Sequence, residues 1–300
     1  MWIILKERYG KNTEMKTIVV LGAQGMAGHV MAEYLAQSTN YKVLGVARTG
    51  GRFVDQTLDV LNFGDLDKYI QDVAPDVVVN CIGVLVSQAN SRVANAILIN
   101  SYLPQFLSEL GDKINYKLVH ISTDCVFSGK TGRYHENSFR DGDDNYARTK
   151  ALGEVINTRD LTIRTSIVGP ELKNSGTGLM DWFFKQVGEV NGYTQAYWSG
   201  VTTLELAKAT YEFIEQGVTG LYQLCPQQKI SKFELLRLMA KIWSKQITIS
   251  PLNSYMVDKS LVCTRTDFKY PQPKYEPMLR EMKRWMDDRR EYYSHYTSLL

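Results

Sequence analysis

Tyr146-Ala147-Arg148-Thr149-Lys150 sets a phenol and an ammonium four residues apart, on one face if the segment is helical. A phenol ordinarily loses its proton near pH 10, and a cation within about 4–6 Å can lower that value by 1–3 units. Lys150 can therefore bring Tyr146 toward useful acid/base exchange at neutral pH. Thr123, just after the apolar run Lys117 to Ser122, can hydrogen-bond an oxygen on which charge develops during hydride transfer, leaving the proton to Tyr146. Spacing alone does not decide this. With 18 tyrosines in 300 residues chance makes such pairs, and Tyr255/Lys259 and Tyr270/Lys274 repeat it. Pro271 and Pro273 forbid a regular helix across the third pair, and the second lies beyond the strand-helix alternation described below. Only Tyr146/Lys150 follows a buried strand that ends in hydroxyls.

A hydride donor needs a binding place, and Gly22-Ala23-Gln24-Gly25-Met26-Ala27-Gly28 offers one. It follows the continuously apolar run Lys16 to Gly22, a strand of the kind buried on both faces, and opens a helical segment. Without Cβ atoms, such a turn lets N–H groups at a helix N-terminus approach a pyrophosphate. NAD-selective folds usually end the second strand with an acidic residue that holds the ribose 2′-hydroxyl. Tyr41 to Thr49 has none, and Arg48 there suits a 2′-phosphate, so NADP(H) is favoured and NAD(H) stays open. Asp59-Val60 lies where the adenine edge could be met.

These groups need a scaffold. Strand-like runs recur at Tyr41 to Ala47, Asp76 to Cys81, Lys117 to Ser122 and Leu161 to Ile167, separated by stretches with helical periodicity such as Val30/Met31/Tyr34/Leu35 and Leu66/Tyr69/Ile70/Val73. The alternation predicts an α/β fold with a doubly wound parallel sheet. A cofactor domain is expected over residues 15–170, with 200–225 returning to it through a helix at Thr203 to Glu215 and a strand at Gly220 to Leu224. Residues 171–199 and 226–300 are expected to form a smaller, interleaved substrate-binding region, and residues 1–14 a leader outside the fold. Met278, Leu279, Met282, Trp285 and Met286 recur at helical spacing and read as core. A net charge of +3 gives no ground for nucleic-acid binding. The longest nearly apolar run, Val77 to Val86, is far below the roughly 20 residues of a membrane span. Met1 to Leu5 is too short for a signal peptide, so a cytoplasmic protein is expected. Four dispersed cysteines and four histidines show no metal-ligand spacing.

The ordered set Gly22/Gly25/Gly28, Asn80-Cys81-Ile82-Gly83, Asn100, Ser122-Thr123-Asp124, Tyr146/Lys150 and Gly153-Glu154 resembles the extended short-chain dehydrogenase/reductase superfamily. Within it, the run from Ser122 to Gly129 followed by Tyr134-x-Glu136 is similar to the dTDP-4-dehydrorhamnose reductase family, from Met15 to about Tyr222 and more loosely beyond. The resemblance implies a Rossmann-type sheet and a nicotinamide cofactor whose ribose is held by Tyr146 and Lys150. It implies a nucleotide-sugar substrate and reduction of the 4-keto group of a 6-deoxy sugar for surface-polysaccharide synthesis. It places Gly25, Met26, Asp59, Val60, Ile82 and Gly83 on the cofactor, and Thr123 and Asp124 on the sugar.

Two departures matter. Ile167 stands where the rhamnose enzymes tend to carry an aromatic residue, which leaves the sugar open. Cys125 shares a face with Thr123 if the strand continues. Related dehydratases carry glutamate there, so water elimination is disfavoured. Related epimerase-reductases pair a cysteine there with a downstream histidine, and none occurs between His135 and His295. Cys125 therefore reads as a pocket-lining thiol. Lys259 and Arg265 are candidates for the nucleotide diphosphate, with a solvated face as the competing reading. A cofactor-binding regulatory subunit without turnover and a nucleotide-sugar 4-epimerase are the alternatives. A homodimer stays open.

Overall fold

The computed structural model describes residues 15–296; the leader expected at 1–14 lies outside them. The first strand, β1 (Lys16–Leu21), sends Ile18 and Val20 into one apolar cluster and Val19 and Leu21 into another. A strand so covered on both faces belongs inside a parallel sheet. Along the chain follow α1 (Met26–Ala36), β2 (Tyr41–Ala47), β3 (Gln56–Thr57), α2 (Phe63–Val73), β4 (Val77–Asn80), α3 (Val86–Ser91), α4 (Val93–Ala96), α5 (Leu103–Ile114), β5 (Lys117–Thr123), α6 (Asn145–Leu152) and β6 (Leu161–Thr165). Next come β7 (Ile167–Val168), α7 (Leu179–Lys185), β8 (Glu189–Trp198), β9 (Val201–Thr202), α8 (Thr203–Glu215) and β10 (Gly220–Gln223). The chain ends with β11 (Ile230–Ser231), α9 (Lys232–Ile242), β12 (Thr248–Asp258) and α10 (Tyr275–Asp287).

Seven strands form one parallel sheet in the order β10-β6-β5-β4-β1-β2-β3. This is the doubly wound sheet the alternation predicts. The chain runs outward from β1 through β2 to β3, then returns to β4 on the other side. The strand order thus reverses between β1 and β4, and a crevice opens beyond their carboxyl ends, where open α/β sheets bind ligands. Leu161 to Ile167, read as one strand, is two. The chain leaves the main sheet after Thr165, and β7 pairs instead with β9, where Val201 N–H donates to the Ser166 carbonyl at 2.8 Å.

A second sheet, in the order β11-β8-β12, lies outside the alternation. Its long strands β8 and β12 are parallel, and the chain between them passes through β9, α8, β10 and β11 before α9, which begins with a capping box between Ser231 and Glu234. The five spaced residues of α10 are all buried in the core. Among the described residues no helix is long and apolar enough to cross a membrane.

Candidate active site

Beyond β1 the chain turns at Gly22, whose φ of +86° is a conformation that favours glycine. Gly25 starts α1 with extended backbone, and no side chain caps the helix. The N–H groups of its first turn therefore face the crevice at the positive end of the helix dipole. Gly22, Gly25, Arg48, Asp59, Val60, Ile82 and Gly83 line a cavity of about 530 Å³ here. Four further residues expected on the cofactor, Met26, Gly28, Tyr146 and Lys150, are not part of this cavity's lining. The Met26 sulfur lies 3.2 Å from where a Cβ on Gly178 would stand. Gly28 lies inside α1, and a Cβ on it would come within 2.0 Å of the Gly22 carbonyl oxygen. Gly28 thus acts through close helix-turn packing. Gly28→Ala should cost about 1–3 kcal/mol, as overpacking does, and weaken cofactor binding by displacing the turn; urea unfolding and cofactor titration would check both. Exposed Lys173, from the loop after β7, also lines this cavity and belongs to no motif.

Asp144 accepts the Ala147 N–H at 2.7 Å and so fixes the start of α6. That helix carries both Tyr146 and Lys150. A π-helical turn at Ile97–Tyr102, the kind of irregularity found at functional sites, places Asn100 beneath them. The Asn100 side chain accepts from Val84 N–H at 2.9 Å and donates to Thr149 Oγ1 at 3.2 Å, tying the loop after β4 to α6. A Cβ on Gly153 would stand 1.9 Å from the Asn100 carbonyl oxygen, so only glycine lets the end of α6 come this close. Half-buried Tyr146 packs on Val84, Ala89 and Ala96, with the Thr123 hydroxyl near its phenol. Lys150 is buried. Its Nζ donates to the Ile121 carbonyl at 2.8 Å and lies 3.3 Å from His120 Nε2.

The expected acidification of Tyr146 is not what this geometry produces. Burial raises the Tyr146 pKa, with the Cys125 thiol adding to the rise and the Thr123 hydroxyl opposing it. Burial also pulls Lys150 down to about 8, against the pull of Glu154 and Cys81. The ammonium is turned toward the backbone of β5, and desolvation dominates both groups. Tyr146 is consequently a protonated phenol at neutral pH.

β5 stops at Thr123, and Asp124–Val126 forms a 3-10 turn instead of continuing the strand. Thr123 and Cys125 therefore do not share a strand face. Thr123 Oγ1 accepts the Cys125 N–H at 3.1 Å and donates to Asp124 Oδ1 at 3.2 Å. The turn still brings Asp124 and Cys125 into a second cavity, of about 470 Å³, with Trp182, Tyr193, Trp198, Tyr255, Lys232 and Lys259. Burial holds the Cys125 thiol up at about 12, so it is neutral, which fits a pocket-lining residue. Burial raises Asp124 as well, with Lys232 and Lys259 opposing. Lys232 is itself lowered to about 8 by burial, with Asp124 opposing, and its Nζ lies 5.0 Å over the Trp198 ring. Arg265 faces a different cavity, bound to Asp267 and to the carbonyls of Thr219 and Leu221. Lys232 carries no local signal of this role, because Ser231-Lys232-Phe233-Glu234 has the composition of a capped helix start. Tyr255 on β12 and Lys259 just past its end meet in this cavity without forming a helical pair.

A doubly wound sheet with a glycine turn at its reversal point, and a hydroxyl, phenol and lysine brought together by β5 and α6, defines a short-chain dehydrogenase/reductase-type protein. The family described as RmlD substrate binding domain matches residues 15–281, and the chain belongs to it. A dTDP-4-dehydrorhamnose reductase of Aggregatibacter actinomycetemcomitans is 29% identical over 167 residues, which cover 54% of this chain and 54% of that protein. The chain thus spans about half the length of this curated relative. The crystal structure of a hypothetical dTDP-4-dehydrorhamnose reductase from Sulfolobus tokodaii is 26% identical with a TM-score of 0.72, covering 82% of this chain and 92% of that one. The fold is also that of a dTDP-4-dehydrorhamnose reductase from Bacillus anthracis solved in complex with NADP, at a TM-score of 0.78 and 20% identity, over 92% of this chain and all of that one.

Proposed function

We propose that the protein is a cytoplasmic NADPH-dependent reductase of the 4-keto group of a nucleotide-linked 6-deoxy sugar, acting in surface-polysaccharide synthesis. One observation carries this reading: the Tyr146/Lys150 helix joins the two cavities. Tyr146 packs on Val84, which lines the cavity at the glycine turn, and its helix lies against the turn at Asp124–Val126, whose Asp124 and Cys125 line the aromatic one. Residues 15–170 with 200–225 form the cofactor half in this account, and residues 171–199 with 226–300 the substrate half.

The cavity at the glycine turn fits a dinucleotide, since Gly22 and Gly25 line it beside the uncapped N-terminus of α1. A reduced nicotinamide bound there supplies the hydride. Gly22, Gly25 and the α1 N-terminus hold the pyrophosphate, Arg48 pairs with a 2′-phosphate, Asp59 and Val60 meet the adenine, and Ile82 and Gly83 line the floor. Tyr146 and Lys150 hold the ribose. Thr123 hydrogen-bonds the keto oxygen, and Tyr146 gives its proton to that oxygen as negative charge develops on it. The raised phenol pKa suits this direction, because the group must start protonated. Below about pH 8 the Lys150 ammonium stabilises the phenolate left behind. Asp124 meets the sugar, while Lys232 and Lys259 suit a diphosphate.

Offered a panel of nucleoside diphosphate 4-keto-6-deoxyhexoses, the protein should consume NADPH, and NADH more slowly. Consumption of neither cofactor with any member of the panel contradicts the reading. Interconversion of 4-epimers with no net cofactor loss would instead establish the epimerase.

A further inference from the structure

His120 is fully buried in β5 and has polar neighbours on both ring nitrogens. Asn80 Nδ2 lies 3.2 Å from its Nδ1, and Lys150 Nζ lies 3.3 Å from its Nε2. The far end of this chain is fixed. Asn80 Oδ1 accepts the Ile82 N–H at 3.0 Å, and a backbone N–H can only donate. Asn80 must then present its NH2 to His120, so Nδ1 accepts and the imidazole proton sits on Nε2. Nε2–H points at Lys150 Nζ, whose other bond donates to the Ile121 carbonyl. All four hydrogen bonds run in one direction only if Nζ offers a lone pair.

From this ordered chain we propose that Asn80 and His120 are a buried positioning pair that favours the neutral amine of Lys150, and thereby set the alkaline limit of the reaction. With Lys150 as an ammonium, Nζ is donor-only, so His120 must move its proton to Nδ1 and face the Asn80 NH2 donor to donor. Turning the Asn80 amide would relieve that conflict and create the same one with Ile82 N–H. Protonating Lys150 therefore costs one hydrogen bond wherever the mismatch falls. A charged imidazolium is no escape, because burial and the adjacent Lys150 hold the His120 pKa well below the usual value. Other groups bear on Lys150. Glu154, just past the end of α6, favours the ammonium but is already paired with Arg164 and Arg140. Cys81, beyond β4, has its thiol held at about 12 by burial. Tyr146 lies one turn earlier on α6 and is protonated. None of these reverses the hydrogen-bond direction imposed by Asn80.

The inference about reaction rate rests on the reductase reading, whereas the inference about proton position does not. Nitrogen NMR of the full chain labelled at histidine would follow the His120 ring from about pH 6 to 10, a range that brackets the lysine. The His120 proton should sit on Nε2 at high pH and move to Nδ1 as Lys150 gains its proton. A single tautomer across the range overturns the pair. Asn80→Asp is close in shape, and its carboxylate can accept from Ile82 N–H and from Nδ1–H together, removing the penalty. It should move the Lys150 transition up by about one pH unit or more, and raise activity at pH 9 relative to pH 7 by about fivefold. His120→Gln, whose amide can turn to accept from the ammonium, should shift the limit in the same direction if Asn80→Asp fails to fold. Limits unchanged in both folded variants, with turnover present, refute the pair. A tautomer change without turnover on any substrate would leave the pair standing and sink the reductase reading.

Discussion

Tyr146→Phe is expected to lower kcat by about 10²- to 10⁴-fold, the usual worth of a positioned general acid, while NADPH affinity changes by no more than about twofold. The phenylalanine ring keeps the contacts with Val84, Ala89 and Ala96, so the loop after β4 and the start of α6 should stay in place. Only the hydroxyl is lost, and with it the proton proposed for the developing alkoxide. Single-turnover kinetics with NADPH would separate the chemical step from cofactor release. A regulatory binding subunit would bind cofactor equally well before and after the change and turn over in neither case. Wild-type turnover that survives the substitution would give the proton-donor role to another group, with Asp124 the nearest buried acid.

Glu154→Ala should destabilise the fold by about 3–5 kcal/mol, because it leaves a buried guanidinium without its counter-charge. Arg164 is 1% exposed, and its Nε and Nη2 donate to Glu154 at 2.8 and 2.6 Å. Ser122 Oγ donates to the same carboxylate at 2.7 Å and Arg140 at 3.0 Å. Three side chains from β5, β6 and the loop before α6 thus converge, through four hydrogen bonds, on one residue just past that helix. Lys150 on α6 and Glu154 just past it meet His120 and Ser122, two apart on one face of β5, so the end of the helix is fixed to that strand. Losing Glu154 should loosen α6 along with the sheet. Urea unfolding measures the cost, and Glu154→Gln, which keeps an acceptor for Arg164, should recover part of it. A Glu154→Ala protein within about 1 kcal/mol of wild type would mean that water or Gln223 compensates Arg164 and that the convergence is incidental.

The central sheet and the glycine turn could be read from residue order because their signals are local. A β-branched run such as Lys16 to Leu21 has one good environment, and glycine at Gly22 has a backbone reason visible in the turn itself. The same holds for α6, whose Tyr146/Lys150 spacing and Asp144 cap lie within a few residues. The second sheet gave no such signal. β8 and β12 are parallel partners about sixty residues apart, and β12 exposes much of both faces, so its side chains show no clean alternation. The functional part of that region depends on tertiary placement: Lys232 becomes a cavity cation only because β8 and β12 surround it. Charge state was the least legible property. Spacing put an ammonium beside a phenol, but the Ile121 carbonyl and His120 take up Lys150, and burial outweighs the neighbour's charge at both residues. His120 itself was visible as a histidine in an apolar strand, two positions before Ser122, and only the Asn80 side chain across β4 reveals its proton.

The central claim is that hydride and proton meet on one sugar carbonyl at the crevice between β1 and β4. The direct measurement is mass spectrometry of the product made from a nucleoside diphosphate 4-keto-6-deoxyhexose and NADPH carrying deuterium at the transferable C4 position. The account predicts one deuterium at sugar C4 in each product molecule from the wild-type protein, and almost none from Tyr146→Phe over the same time. Unlabelled product, or deuterium at any other sugar carbon, would contradict it.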